Sequence, residues 1–399
     1  MSKVSTDKNA INWVLNHAVE NVYPSKAEVQ KMLEAGKQLT VYFGIDPTGP
    51  TLHLGHFINL RRVKLFQDLG HKVILLIGDF TAMIGDPTDK GAARKQLTRE
   101  EVLANAKLYK EQLSRVIDFT GPNAAELRFN SEWLAKMSFA DVVELASHFT
   151  VQQMLERDMF EKRIEEGKPV YVHEFMYPLM QAQDSVAMNV DGEIGGNDQT
   201  FNMLAGRTLM KELKNKEKFV ITNALLVDPT GKKMGKSEGN MLALTDSPDD
   251  MYGKVMSWTD GMIVPGFNLC TDATDEEVIG IASSIKAGEN PMEFKRDLAK
   301  RIVAWLVGDE AASHAAEQFS KVHQEHARPD EIPELKPAGS MLLVDILVES
   351  GLCSSKSDAR RQVEQGGVKV DDVVVEDVAM SVKTGSVIQK GKRFFVKIV

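Results

Sequence analysis

An apolar run from Leu39 to Ile45 ends at the turn-rich Asp46-Pro47-Thr48-Gly49-Pro50. Helical spacing follows from Leu54 to Leu69 and stops at Gly70, and Val73-Ile74-Leu75-Leu76-Ile77 comes next. That order of strand, helix and strand restricts the fold more than any other part of the chain. The last run is apolar at every position, as expected of a strand covered on both faces in a parallel sheet. The alternation continues downstream. Thr98 with Glu101 predicts a capping box opening a helix through Ile117, with Val102, Ala106, Tyr109 and Leu113 on one face. Leu127 to Phe129 is a weaker strand candidate. Val151 to Glu166 reads as a helix carrying Met154, Leu155, Met159, Phe160 and Ile164, and Phe219 to Val227 reads as a further strand. Repeated alternation of this kind points to an α/β fold built on a doubly wound parallel sheet.

The texture changes beyond residue 228. A segment rich in Gly and Lys, 229–246, contains Lys233-Met234-Gly235-Lys236-Ser237. Ser247-Pro248 then reads as a helix start with Pro in the first turn, and strand signals are scarce through 322, so 247–322 is expected to be α-helical. The stretch 323–340 is a polar linker punctuated by Pro329, Pro333 and Pro337. Residues 341–399 form a small α+β unit: a helix closed by Gly351, a second one capped by Ser355 with Asp358, then short strands around Asp371-Asp372.

Charge and cysteine content exclude several classes. With 48 basic against 57 acidic residues the net charge is −9, so any contact with nucleic acid has to come from local patches. Cys270 and Cys353 are too few for a disulfide framework and have no companion at metal-ligand spacing, which suits a reducing, cytoplasmic setting. The first twenty residues lack the apolar core of a signal peptide, and no run approaches membrane-spanning length.

Two stretches carry chemistry. His53-Leu54-Gly55-His56 sits where a strand, a turn and a helix start follow one another, so both rings can donate to phosphate oxygens beside the positive end of a helix dipole. A surface pair or half a zinc site is the plainer alternative. A metal site would need a third ligand, and the helical metalloprotease pattern spaces its histidines i, i+4 around a Glu. Lys233 and Lys236, among Gly231, Gly235 and Gly239, can close over a pyrophosphate; a solvated lysine loop is the alternative. Two imidazoles and two ammonium groups converging on one triphosphate would match a transition state that gathers negative charge.

Together these stretches resemble the paired signatures of class I aminoacyl-tRNA synthetases, with Gly235 where the family pattern has Ser. A closer resemblance is carried by five segments in order. They are Tyr42-Phe43-Gly44-Ile45-Asp46-Pro47-Thr48, His53 to His56, Ile84-Gly85-Asp86-Pro87, Tyr177-Pro178-Leu179-Met180-Gln181-Ala182-Gln183-Asp184 and Gly195-Gly196-Asn197-Asp198-Gln199. These are similar to bacterial tyrosyl-tRNA synthetases from about residue 35 to 245, and the tail is similar too. The resemblance implies a Rossmann-like catalytic domain over 1–228, a mobile loop, an α-helical anticodon-side domain and a small RNA-binding domain of the kind named for a ribosomal small-subunit protein. It further implies that Tyr42 and Asp184 bind the substrate phenol, and that Tyr177, Asp86 and Gln181 hold its α-amino group, with Gln199 near the carboxylate. Gly44, Asp46, Gly55, Gly196, Asp198 and Ser237 would face ATP. Thr48, His53, His56, Lys233 and Lys236 would act at the phosphates.

The implied partners are L-tyrosine, ATP with Mg²⁺ and tRNA, with no carboxylate cage for a resident metal and a homodimeric assembly. Lys90 and Arg94, and in the tail Lys356, Arg360 and Arg361, are the candidate tRNA contacts. Met154, Leu155, Met159 and Phe160 are either a dimer surface or core. Two rivals share features with this reading. A tryptophanyl enzyme has the same architecture but leaves Tyr42 unexplained, and a non-catalytic RNA-binding paralogue has no use for the histidines and lysines.

Overall fold

The computed structural model describes residues 3–88, 97–228, 241–324, 332–337, 339, 341–391 and 394–399. Lys90, Arg94, Lys233, Lys236 and Ser237 lie outside the described residues. The chain divides into two compact units, Met1–Asp309 and Glu310–Val399.

The first unit is organised by six strands: β1 (Val19–Tyr23), β2 (Thr40–Ile45), β3 (Lys72–Ile77), β4 (Glu126–Phe129), β5 (Gly192–Gly196) and β6 (Phe219–Asn223). Their order across the sheet is β1-β6-β5-β2-β3-β4. β6, β5, β2, β3 and β4 run parallel, and β1 closes one edge antiparallel to β6. From β2 the chain winds outward through β3 and β4; it then returns to the other side for β5 and β6. The winding therefore reverses between β2 and β5, and a crevice opens beyond their carboxyl ends. β1 escapes the sequence pattern because Val19-Glu20-Asn21-Val22-Tyr23 is an edge strand of mixed polarity. β5 escapes it because Gly192-Glu193-Ile194-Gly195-Gly196 has few β-formers, yet all five residues are buried. Gly192 is required by packing: the Phe219 ring, opposite it in the register, fills the space where a Cβ would stand.

The Leu54–Asp68 helix connects β2 to β3 and buries Leu54, Phe57, Leu60, Val63 and Phe66. Its Arg62 is also buried. The guanidinium donates to Asn223 Oδ1 at 3.0 Å and to the carbonyls of Val14 and His17, where the Lys8–Asn16 helix ends. Carbonyl oxygens at a helix C-terminus are suitable acceptors for a buried cation. After residue 241 the first unit continues as helices Pro248–Met256, Ile263–Cys270, Asp275–Lys286 and Pro291–Val307. Ser247 caps the first of these with Pro248 inside its first turn, as the sequence predicts.

Two expected helices are each split. The Thr98 capping box is present, but the helix it opens ends at Ala106, and a second runs Tyr109–Leu113. Tertiary hydrogen bonds explain the break. Asn105 reaches Pro47 O at 3.0 Å from the first piece, while Tyr109 donates to Gly49 O at 2.7 Å and Gln112 to Pro50 O at 2.9 Å from the second. Both pieces thus hold the loop that leads to His53. The expected Val151–Glu166 helix is Val151–Leu155 and Asp158–Glu165, interrupted where Arg157 turns inward between the Phe160 and Phe201 rings and donates to Thr88 Oγ1 at 2.8 Å. Met154 and Phe160 are core side chains of this chain, Met154 clustering with Leu145, Leu179 and Leu209. Of the two readings of Met154, Leu155, Met159 and Phe160, core packing holds for Met154 and Phe160, while Leu155 and Met159 are partly exposed.

In the second unit, β7 (Glu334–Leu335), β8 (Val368–Val370), β9 (Val373–Val374), β10 (Val387–Lys390) and β11 (Phe394–Ile398) form a sheet of order β7-β11-β10-β8-β9. Helices Leu343–Glu349 and Lys356–Glu364 pack on it around Leu343, Ile346, Leu347 and Val363. β7 lies inside the stretch read as a linker and pairs parallel to β11. Asp371 and Asp372 take φ of 48° and 68°, the left-handed pair that a two-residue hairpin turn needs.

Candidate active site

A cleft of about 300 Å³ opens at the crevice between β2 and β5. Gly44, Ile45, Asp46 and Thr48 line it from the end of β2, and Ile194, Gly195, Gly196, Asp198 and Gln199 from the end of β5. His53, Gly55 and His56 come from the first turn of the Leu54–Asp68 helix, and Tyr177, Gln181 and Asp184 from the Val172–Met188 helix. Tyr42, Asp86, Asn130 and Glu193 complete the wall. Every described residue singled out for tyrosine, ATP or phosphate binding thus faces one space.

The histidines are set by the helix start itself. His53 is the N-cap: its Nδ1 accepts from Gly55 N at 3.1 Å, and His56 Nδ1 accepts from His53 N at 3.2 Å. Each ring satisfies a backbone N–H that a helix start would leave unpaired. The centroids lie 4.0 Å apart, and the His53 ring presses on Gly55, where a Cβ would stand 3.0 Å from His53 Cε1. Burial lowers His53 to a pKa of about 4, and burial with His53 nearby lowers His56 as well. With Nδ1 accepting, a neutral ring carries its proton on Nε2, so both imidazoles are neutral donors at pH 7.

The far flank of the lysine loop returns to the same place. Leu54 N donates to Leu242 O at 3.0 Å, Leu244 N donates to Leu52 O at 2.8 Å, and His53 bridges to Ala243. On the near flank Leu225 and Leu226 line the cleft. The described residues on both sides of 229–240 therefore reach the cleft.

Hydrogen bonds hold the deeper half. The Tyr42 hydroxyl lies 3.0 Å from Ser185 Oγ, and Asp184 accepts from Trp133 Nε1 at 2.8 Å and Asn130 Nδ2 at 3.3 Å. Tyr177 donates to Asp46 Oδ2 at 2.9 Å and Thr81 to Asp46 Oδ1 at 2.7 Å; Gln199 donates to Asp86 Oδ2 at 2.7 Å, and Gln181 to Glu193 Oε1 at 2.9 Å. Burial pushes the Asp184 carboxyl well up, and burial with Asp86 nearby pushes Asp198 up to about 6. A wall with this many carboxylates favours a cationic group such as an α-ammonium. Among the described residues no cluster of three or more His, Cys, Asp or Glu could hold a metal ion, and no helix is long and apolar enough to cross a membrane.

Thr81, Asn130, Trp133, Ser185 and Glu193 also line or support the cleft, though the sequence does not single them out. Only Asn130 carries a signal, standing one residue past β4, where ligands bind in open α/β sheets. The others are brought in by tertiary contacts. In the second unit, Lys356, Arg360 and Arg361 are exposed on one helix, with Lys356 paired to Asp345 at 2.6 Å and Arg361 to Asp358 at 2.7 Å.

A parallel sheet with its ligand cleft at the winding reversal and paired histidines opening the first crossover helix defines the catalytic unit of a class I aminoacyl-tRNA synthetase. The family described as tRNA synthetases class I (W and Y) matches residues 34–324, and the S4 domain matches 341–388. The tyrosine–tRNA ligase of Thermotoga maritima is 46% identical over 94% of each chain, and that of Haemophilus influenzae 43% over 98% of each. A tyrosyl-tRNA synthetase from Archaeoglobus fulgidus, solved with L-tyrosine, shares the fold with a TM-score of 0.61 at 21% identity, covering 78% of this chain and 100% of that one. The chain belongs to the tyrosyl-tRNA synthetase family.

The histidine geometry has a measurable consequence. The ring-proton resonances of His53 and His56 should stay constant from pH 8 to about 5.5, with nitrogen shifts of the Nε2-protonated form. Because folding lowers the His53 pKa from the ordinary 6.5 to about 4, its contribution to stability is complete above 6.5 and is lost as pH falls toward 4. Titration of both rings near 6.5 would contradict this placement.

Proposed function

We propose that this cleft joins L-tyrosine to ATP and then passes the tyrosyl group to tRNA, with the residue roles that follow. The tyrosine carboxylate attacks the α-phosphorus of ATP; the bond to the bridging oxygen breaks, and pyrophosphate leaves with tyrosyl-adenylate behind. A hydroxyl of the terminal tRNA ribose then attacks the tyrosyl carbonyl and AMP leaves. The protein need not supply a covalent nucleophile, so its work is positioning and charge stabilisation.

In this reading Nε2–H of His53 and His56, with Thr48, donates to the phosphates, and Lys233 and Lys236 neutralise the departing pyrophosphate. Gly44, Asp46, Gly55, Gly196, Asp198 and Ser237 face the nucleotide. Tyr42 and Asp184 read the phenol hydroxyl, Tyr177, Asp86 and Gln181 the α-ammonium, and Gln199 lies by the carboxylate. Mg²⁺ arrives with ATP, held chiefly by phosphate oxygens. Lys90 and Arg94 contact the tRNA from the first unit, and Lys356, Arg360 and Arg361 from the second. The assembly is a homodimer, for which exposed Phe139, Val143 and Val172 offer apolar surface. The two free, buried cysteines suit a cytoplasmic setting.

The observation that carries the reading is that a buried tyrosine and carboxylate share one cleft with two neutral imidazole donors at a helix start. A pocket built to read a hydroxyl rejects phenylalanine because its own buried polar groups would be left unpaired.

Three measurements test it. In ATP–pyrophosphate exchange, Tyr42→Phe should reduce the preference for tyrosine over phenylalanine about fivefold, roughly 1 kcal/mol, the worth of a neutral hydrogen bond; an unchanged ratio removes Tyr42 from the pocket. His53→Ala should slow adenylate formation about a hundredfold or more, far beyond the roughly 1 kcal/mol of stability lost with the helix cap. Wild-type single-turnover rates would refute that role. Deleting 325–399 should spare exchange and impair tRNA charging, and equal charging by the shortened enzyme would overturn the tail's part.

A further inference from the structure

A buried cation that none of these steps uses lies under the phenol-reading end of the cleft. Lys218 directly precedes β6 and is fully buried, with Nζ 2.9 Å from Ser185 Oγ and ion-paired to Glu193. Glu193 is the cross-strand neighbour of Tyr42, and its other oxygen accepts from Gln181 at 2.9 Å. Space for the cluster is left by Gly206, where a Cβ would collide with Lys218 Nζ and Ser185 Oγ. The ammonium also lies 5.8 Å from the centroid of the Tyr42 ring.

The direction of each hydrogen bond follows from counting donors. An ammonium has three donors and no acceptor, so at Ser185 Oγ it is Lys218 that donates. The serine keeps one proton to place, and its other hydrogen-bond partner among the described residues is the Tyr42 oxygen at 3.0 Å. A buried hydroxyl proton left without an acceptor is costly, so Ser185 donates to Tyr42. The Tyr42 proton is then not engaged by Ser185. Glu193, whose two oxygens also accept from Lys218 and Gln181, hydrogen-bonds the Tyr42 hydroxyl and is the resident acceptor whose place the phenol oxygen of a bound tyrosine takes. We propose that Lys218 is a positioning residue for substrate selection: through Ser185 it sets Tyr42 as the hydrogen-bond donor to the phenol oxygen of tyrosine, leaving Asp184 to accept the phenol proton. The inference rests on the assignment of this pocket to tyrosine, and it deepens that assignment by giving the clamp a direction.

The test compares kcat/KM for tyrosine and phenylalanine in ATP–pyrophosphate exchange. Lys218→Met alone strands the buried Glu193 charge and threatens folding, so the paired Lys218→Met/Glu193→Gln variant, which removes both charges, is measured beside Ser185→Ala. Each should lower the preference for tyrosine about fivefold, with the loss in KM for tyrosine. In a Tyr42→Phe background the same changes should lower it no further, since all act through one hydroxyl. Wild-type preference in the folded paired variant, or a full additional loss on top of Tyr42→Phe, overturns the role of Lys218. If Tyr42→Phe itself leaves the preference unchanged, the tyrosine assignment fails and this proposal falls with it; a loss with Tyr42→Phe but none with the Lys218 and Ser185 variants overturns this proposal alone.

Discussion

The reversal of winding between β2 and β5 is the constraint on which the rest of the molecule depends. It places Tyr42 directly against Glu193 in the parallel register and leaves both carboxyl ends without a crossover above them. The His53 turn after β2, the Asp198 turn after β5, and the Val172–Met188 helix that delivers Tyr177, Gln181 and Asp184 all meet at that gap. A sheet wound in one direction only would carry the same side chains and hold no cleft between them.

Within the cleft, charge and hydrogen-bond donation are separated. The carboxylates Asp46, Asp86, Asp184, Glu193 and Asp198 occupy the wall, and the resting histidines are held neutral by burial. In the proposed reaction neutral imidazoles would donate to phosphate without adding a charge that those carboxylates would pair with in the absence of substrate. The helix start fixes the rings so that little reorganisation is required when the nucleotide binds, which is how oriented donors contribute most in a site shielded from water. In the proposed reaction the positive charge for the pyrophosphate comes from Lys233 and Lys236; of the described residues on either side of that stretch, Leu242 and Leu244 bond to the histidine turn, and Leu225 and Leu226 line the cleft.

Much of this architecture is legible in the amino-acid order alone, for identifiable reasons. β2, the Leu54–Asp68 helix and β3 are readable because their apolar patterns are local and strong, and the Thr98, Ser247 and Ser355 caps because capping chemistry involves neighbours in sequence. The two split helices are not, since the breaks are imposed from a distance by Tyr109 and Gln112 on the 49–50 turn and by Arg157 on Thr88. β5 is hidden by its glycines, one of which exists to admit the Phe219 ring. In the site, residues within the recognised segments are identifiable one by one. Ser185 and Lys218 are not, because nothing in the spacing of a serine and a lysine 33 positions apart announces that their side chains meet.

Those two residues also show why a polar pocket needs support behind it. Tyrosine and phenylalanine differ by one hydroxyl, so shape alone separates them poorly. A phenol offers one donor and one acceptor, and rejection of its analogue is strongest when the protein presents the complementary acceptor and donor with neither able to turn away. Asp184 is held by Trp133 and Asn130, which occupy both its oxygens from behind. In the proposed arrangement Tyr42 is held because Ser185 does not accept its proton, and a buried ammonium enforces this, because it can donate and never accept. A neutral amide in its place could rotate and offer either end. The desolvation cost of burying a lysine is offset by Glu193, which Gln181 in turn engages, so the buried pair is linked to the residue proposed to hold the opposite end of the amino acid. One continuous set of hydrogen bonds thus runs from Tyr42 through Ser185, Lys218 and Glu193 to Gln181, and under the proposed roles it would link recognition at the two ends of the amino acid.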